Sequence, residues 1–172
     1  MITFLEDTYP GYKHRTYENA RLADLTIVFA IVPDSSGEKM TLDAAATYNK
    51  PAIMVDLSTN TATSYRLDEK TIQDIHSINV AGNGMSRFCN YNYTQEQVDK
   101  IVYDYFEKFI KTYNLDIQEI RSGGQTGADE SGLKAAVKLG IKAVSLCPKG
   151  WRFRTATEDI SNEELFKNRF NL

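Results

Sequence analysis

Arg121-Ser122-Gly123-Gly124-Gln125-Thr126-Gly127-Ala128-Asp129 is the stretch on which the reading of this chain turns. A short apolar run, Leu115 to Ile120, precedes it and reads as a buried strand. An amphipathic run, Glu130 to Leu139, follows it and reads as a helix. Strand, Gly-rich turn and helix, in that order, aim backbone N–H groups and a helix N-terminus at an anion. Gly123, Gly124 and Gly127 permit positive φ and close approach of a ligand to the main chain. Ser122, Gln125 and Thr126 add side-chain donors, so phosphate is the natural partner. The plainer alternative is a tight turn before a capped helix, with Asp129 as a carboxylate favoured by the helix dipole. The loop lacks the Gly-Lys-Ser/Thr ending of a triphosphatase phosphate loop and is not Gly-x-Gly-x-x-Gly. Triphosphate hydrolysis and dinucleotide hydride transfer are therefore not indicated.

Upstream, strands and helices alternate. Leu25–Val32 is almost wholly apolar and rich in β-branched residues, the signature of a parallel strand buried on both faces. Ala52–Leu57, Ser77–Ala81 and Ala143–Leu146 read as further strands. Helices are expected over 17–23 with Thr16 as N-cap, over 40–48, over 68–75 and over 162–168. Thr94 followed by Gln97 is a capping box for a long helix, 95–113, with a broad apolar stripe. That stripe reads as core or as the interface of a homo-oligomer. Residues 1–11 and 58–65 read as irregular or polar loop. The pattern predicts one α/β domain over residues 1–172: a Rossmann-like, mostly parallel sheet with helices on both faces. In such sheets ligands bind outside the carboxyl ends of the strands. The loops at 33–39, 58–63, 82–88, 122–129 and 147–154 are expected to converge there.

Composition narrows the function. Of 172 residues, 42% are apolar and 25% charged, which suits an ordinary globular domain with a full core. A net charge of −3 gives no global basic footprint, so nucleic acid is not expected as a partner. No apolar run reaches the roughly 20 residues that span a bilayer, and Met1–Asp7 has no signal-peptide pattern, so no membrane partner is expected. Two cysteines, Cys89 and Cys147, and two distant histidines, His14 and His76, make neither a disulfide scaffold nor a zinc site. The expectation is a cytoplasmic protein, and no residues are assigned to a metal.

Candidate binding residues gather around the strand ends. Arg15, Arg87, Lys149, Arg152 and Arg154 are cations that can grip a phosphate. Trp151 lies among them and either stacks on a base or plugs the crevice edge. Asp129 in the first helical turn, and Glu38 within Ser36-Gly37-Glu38-Lys39-Met40-Thr41, are the candidates for acid/base work.

The same residues resemble a known family. Ser122–Asp129, with Gly132-Leu133 and Cys147-Pro148-Lys149-Gly150, resembles the opening motif of the molybdenum cofactor carrier proteins. These are similar to the SLOG superfamily of Rossmann-like proteins, which includes YpsA-like proteins and the LOG phosphoribohydrolases. The family's Tyr-x-x-Arg-Thr-x-x-Asn segment is matched by Tyr12–Asn19, its Asp before a buried strand by Asp24, its Lys-Pro by Lys50-Pro51, its Val-Asp-Leu by Val55–Leu57, and its Asn-Val-Ala-Gly turn by Asn79–Gly82 with Ser86. Here these follow a rotated order, as in a circularly permuted member. The family's Gly-Gly-Thr loop is represented only by Ser36–Thr41. The resemblance implies binding, carriage, sensing or sequestration of a phosphate-bearing, nucleotide-like or molybdopterin-like small molecule. Together with the cation cluster, the expected binding residues are Ser122, Gly123, Gly124, Gln125, Thr126, Gly127, Asp129, Arg15, Asn19, Asn79, Gly82, Ser86, Lys149 and Arg152. The alternative is a nucleotide N-glycosidic hydrolase of the LOG type.

Overall fold

Six parallel strands and one antiparallel edge strand form the central sheet of the computed structural model, which describes residues 1–171. The elements run β1 (Ile2–Glu6), α1 (Lys13–Leu22), β2 (Leu25–Ala30), α2 (Ser36–Thr47), β3 (Ala52–Asp56), β4 (Thr61–Tyr65), α3 (Glu69–Gln73), β5 (Ser77–Gly82), α4 (Met85–Phe88), α5 (Gln95–Tyr113), β6 (Glu119–Ser122), α6 (Ala128–Lys138), β7 (Lys142–Cys147), β8 (Arg152–Arg154), β9 (Asp159–Ser161) and α7 (Glu163–Asn168). The sheet order is β1-β7-β6-β5-β2-β3-β4. This is the expected α/β, Rossmann-like arrangement. From β2 the chain moves outward through α2 to β3, and from β5 it moves the other way through α5 to β6. The strand order therefore reverses between β2 and β5, the place where open α/β sheets bind ligands.

Alternation along the strands explains the two layers. Leu25, Ile27 and Phe29 of β2 pack with Val98, Val102 and Phe106 of α5, and Phe29 meets Tyr105 edge-on at 5.2 Å. Val28 and Ala30 point the other way and pack with Met54 of β3 and Leu42 of α2. α5 and α6 cover one face; α1 and α2 cover the other. The apolar stripe of α5 is thus used inside the chain, with Val98, Val102 and Phe106 fully buried. An assembly through helix 95–113 would have to use its outer, charged face. The capping box forms as expected: Thr94 accepts from the Gln97 amide, and Gln97 Oε1 accepts from the Thr94 amide.

Several boundaries differ from the sequence reading. Residues 2–6 are not irregular: they pair in parallel with β7, turning Ile2 and Phe4 toward the core. Residues 61–65 are not a loop but the antiparallel edge strand β4, exposed along its whole length, which is why its apolar pattern is silent. The hairpin of β8 and β9 was unforeseen as well. β6 occupies 119–122 rather than 115–120, because Arg121 and Ser122 find polar partners inside the sheet layer. α1 begins at Lys13, not Tyr17, and Thr16 does not cap it; the Thr16 hydroxyl donates to the Tyr12 carbonyl. α2 begins at Ser36, not Met40. These last two shifts place Arg15 and Glu38 on helices that face the strand ends. No described helix is long and apolar enough to cross a membrane.

Candidate functional site

A cavity of about 420 Å³ opens at the reversal of strand order. Its floor is the end of β5 and the turn after it, Asn79 to Gly84; its walls are the first turn of α2, one face of α1, and the Gly-rich loop with Asp129. Such a volume lies in the range of small-molecule sites.

Asn83 ties this corner together. Its backbone N–H donates to the Phe29 carbonyl at 3.0 Å, and its carbonyl accepts from the Ala128 N–H at 3.1 Å. Its Oδ1 accepts from the amides of Ile31 and Val32, both at 2.8 Å. One residue thus joins the ends of β2 and β5 to the start of α6. Two glycines make this possible. Gly82 has φ +149°, and a Cβ there would lie 1.9 Å from the Phe29 carbonyl oxygen. Gly127 has φ +81°, and a Cβ there would lie 2.4 Å from the Asn83 oxygen. The sequence places the turn Gly82–Ser86 on this wall, but Asn83's part in joining the strand ends has no sign in it beyond a place between two glycines.

The Gly-rich loop is held chiefly by its own polar groups. The Ser122 hydroxyl donates to the Val80 carbonyl at 2.8 Å and is fully buried. The Gly127 amide donates to Gln95 Oε1 at 2.7 Å. The Gly124 carbonyl accepts from Arg169 at 2.7 Å, and a Cβ on Gly124 would strike Ser145 and Phe166. Ser122, Gly124 and Gly127 therefore shape the loop and do not line the cavity, contrary to the expectation that 122–127 as a whole cradles phosphate. Gln125 and Thr126 do line it, but both also clamp β8. Gln125 donates to the Arg152 carbonyl at 2.8 Å and accepts from the Arg154 amide at 3.2 Å, and the Thr126 hydroxyl donates to the Arg154 carbonyl. Lys149 and Arg152 lie outside this cavity, on a smaller one that shares Tyr12 and Gln125 with it.

The charged groups that do meet in the cavity are Arg15, Arg87, Arg154, Glu38 and Asp129. Arg15 is only 4% exposed, and its Nη1 has no hydrogen-bond partner. Burial lowers its pKa, with Asp129 opposing the shift. Asp129 lies against the loop. Its Oδ2 accepts from the Gln125 amide at 3.3 Å and would be 2.8 Å from a Cβ on Gly123. Burial pushes its carboxyl up to about 6, against the pull of Arg15 and the Gln125 amide. Glu38 sits in the first turn of α2, accepts from the Ser35 hydroxyl and is 5% exposed. Burial raises its pKa too. Asn83 Nδ2 faces this carboxyl and favours its ionised form, but without a hydrogen bond of ordinary length. Asn19 and Asn79 line the inner wall, each held on one side: Asn19 Oδ1 by Arg121 at 3.1 Å, Asn79 Nδ2 by Thr26 at 3.3 Å. Asn79 reaches this side because it alternates with Ile78 and Val80, which face the α5 layer. Gly82, Ser86 and Gly123 complete the expected residues present, with Asn83 inside the expected turn; Tyr12 and Ser35 are additions. Cys147 is fully buried, its thiol pushed up to about 11 by burial, and it is a packing residue.

The N-terminus of α2 opens here at Ser36–Gly37, and the cavity also holds the buried guanidinium of Arg15 and the carboxyl groups of Glu38 and Asp129. A Cβ on Gly37 would meet nothing within 4 Å, so the main chain at the start of α2 faces open space. This arrangement suits an anion with polar groups attached. The model of the circularly permutated YpsA SLOG family matches residues 4–103 and 120–163. The chain belongs to this family. The match takes in all the cavity residues and omits residues 1–3, residues 104–119 with the second half of α5, and the residues after 163. Membership of the SLOG family points to a nucleotide-related ligand. No curated protein and no solved structure matches the chain. Among the described residues no group of three or more His, Cys, Asp and Glu side chains is placed to hold a metal ion.

Proposed function

We propose that this protein binds a phosphate-bearing, nucleotide-like small molecule in the cavity between β2 and β5, and carries, senses or sequesters it. The observation that carries the reading is Arg15. A guanidinium 4% exposed, with Nη1 lacking any partner, lines the same cavity as the N-terminus of α2 and as Asp129 in the first turn of α6. An anion at that point would satisfy a buried donor that otherwise costs about 1–3 kcal/mol. The phosphate would face Arg15 and the start of α2, and the sugar and base would lie along Asn19, Asn79 and the turn from Gly82 to Ser86. A molybdopterin-like group is the second ligand type with a phosphate of this kind. Two cysteines without a disulfide suit a cytoplasmic setting.

The test is calorimetric titration with AMP, ADP-ribose, cyclic nucleotides and a pterin phosphate, followed by mass spectrometry of the ligand recovered after denaturation. Binding that weakens at least about ten-fold in Arg15→Met, with intact ligand recovered, supports the proposal. Absence of binding by every phosphate-bearing probe refutes it.

A second reading is supported by the two carboxyl groups that share the cavity, both with pKa raised by burial. A protonated carboxyl can donate to a leaving base while an ionised one takes a proton from attacking water, which is N-glycosidic hydrolysis. Free base and ribose phosphate among the recovered products, lost in both Asp129→Asn and Glu38→Gln, would establish this reading in place of the first.

A further inference from the structure

The sheet ends in β4, which runs antiparallel to β3 in regular register from Ala52↔Tyr65 to Asp56↔Thr61. Among the described residues no strand pairs with its other side, and all five of its residues are exposed. Alternate residues of such an edge direct their N–H and C=O groups away from the sheet, which makes a template for another strand. Edges that stay single are protected by charge, proline or a bulge. β4 has none of these. Leu57 to Tyr65 holds no charged residue and no proline, in a chain that is 25% charged, and its pairing with β3 is unbroken. Arg66 is the next charge, at φ +53°, where the chain has left the strand. The opposite edge of the sheet is built differently. There β1 carries Glu6, which accepts from the Gly150 amide at 2.6 Å, and the turn Lys149–Trp151 lies against the strand.

We propose that β4 is the surface through which two copies of this chain associate, antiparallel about a two-fold axis at Thr63, so that two seven-stranded sheets become one. The strand is complementary to itself. Thr61, Thr63 and Tyr65 share the sheet face on which Met54 packs with Leu42. In this register Thr63 stands opposite the partner's Thr63, and Tyr65 opposite the partner's Thr61, twice over. Thr–Thr and aromatic–β-branched pairs are favourable across antiparallel strands, and no like charges oppose each other. A register centred on Ala62 or Ser64 would leave part of the strand unpaired. The apolar stripe of α5 offers no rival surface, because Val98, Val102 and Phe106 are buried inside the chain. β3 separates β4 from β2, so this contact stands apart from the cavity and does not depend on a ligand.

Sedimentation of the full chain over about 1–200 µM should show a reversible dimer of twice the chain's mass. Thr63→Lys and Thr63→Glu each set two like charges about 5 Å apart at the axis, and each should weaken the dimer at least about ten-fold. An equimolar mixture of the two variants brings opposite charges together there and should restore association to within about three-fold of the wild type. Position 63 is exposed, so both variants should keep the wild-type circular dichroism, and recovery on mixing separates a lost contact from a lost fold. A chain that stays monomeric over the whole range overturns the proposal. So does a dimer that both variants leave intact, which would place the contact on another surface, and so does a mixture that fails to reassociate.

Discussion

Asp129 makes ligand affinity depend on pH in a direction that can be worked out beforehand. Its carboxyl lies against the Gly-rich loop, within reach of the Gln125 amide and beside the position of Gly123. A phosphate facing Arg15 lies near this carboxyl, and like charges shielded from water repel. The protonated form is the one that tolerates the anion. In the unliganded protein the group is held at about 6, so half of it is protonated near pH 6 and about one part in a hundred at pH 8. Binding then takes up a proton, and the apparent affinity falls as pH rises above 6. Between pH 6 and pH 8 the loss amounts to about 50-fold if only the protonated form binds. The same raised pKa bears on stability. The folded state holds the proton more tightly than the unfolded chain, whose Asp titrates near 3.8, so this group's stabilising contribution is complete below about pH 4 and is lost as pH rises through about 6. The assay is calorimetric titration at half-unit steps of pH with ADP-ribose, whose phosphates do not titrate in this window. Asp129→Asn should flatten the profile and bring the pH 8 affinity close to the wild-type value at pH 6. A flat wild-type profile refutes the reasoning and would fit an ionised Asp129 that accepts from a sugar hydroxyl. A slope that persists in Asp129→Asn refutes it as well and moves the proton elsewhere, with Glu38 the next group to examine.

Three further perturbations follow from the frame of the site. Asn83→Ala leaves the Ile31 and Val32 amides without their acceptor, one of them buried, and should cost about 3 kcal/mol by urea unfolding; a loss under about 1 kcal/mol would show that the corner does not depend on Asn83. Gly82→Ala places a Cβ 1.9 Å from the backbone oxygen of Phe29 at φ +149°, where neither side can yield cheaply, so a loss of more than about 3 kcal/mol, or failure to accumulate as folded protein, is expected by circular dichroism. Arg169→Ala removes the 2.6 Å ion pair with Glu130 and the 2.7 Å bond to the Gly124 carbonyl. Because Lys134 still pairs with Glu130 at 2.7 Å, the expected loss is about 2–3 kcal/mol, with faster hydrogen exchange at the Gly-rich loop as the second readout.

The long elements were legible because their signals are local. β2 shows as an apolar run, and α5 shows as a capping box followed by a 3.6-residue stripe. The loop at 122–129 shows as glycines between a strand and a helix. Elements without a local signature were missed. β4 has no buried residue and exists because β3 offers it an edge. β1 is short and held by β7, from the other end of the chain.

For the site the division is sharper. The amino-acid order by itself determined that a Gly-rich turn would stand at a strand end, that Arg15, Asn19, Asn79 and Asp129 belonged to its surroundings, and that the chain was a rotated form of a known unit. Only the tertiary structure decided which polar groups remain for a ligand. Ser122, Gly124 and Gly127 carry the donors and the freedom that a phosphate loop needs, yet Val80, Arg169 and Gln95 engage them inside the protein. Those partners lie about thirty to forty-five residues away along the chain. Arg15 looks in sequence like any surface cation, and becomes the centre of the site because α1 starts early enough to bury it beside Asp129. Hydrogen-bonding capacity is a property of the residue, whereas its availability depends on which neighbours the fold brings within about 3 Å.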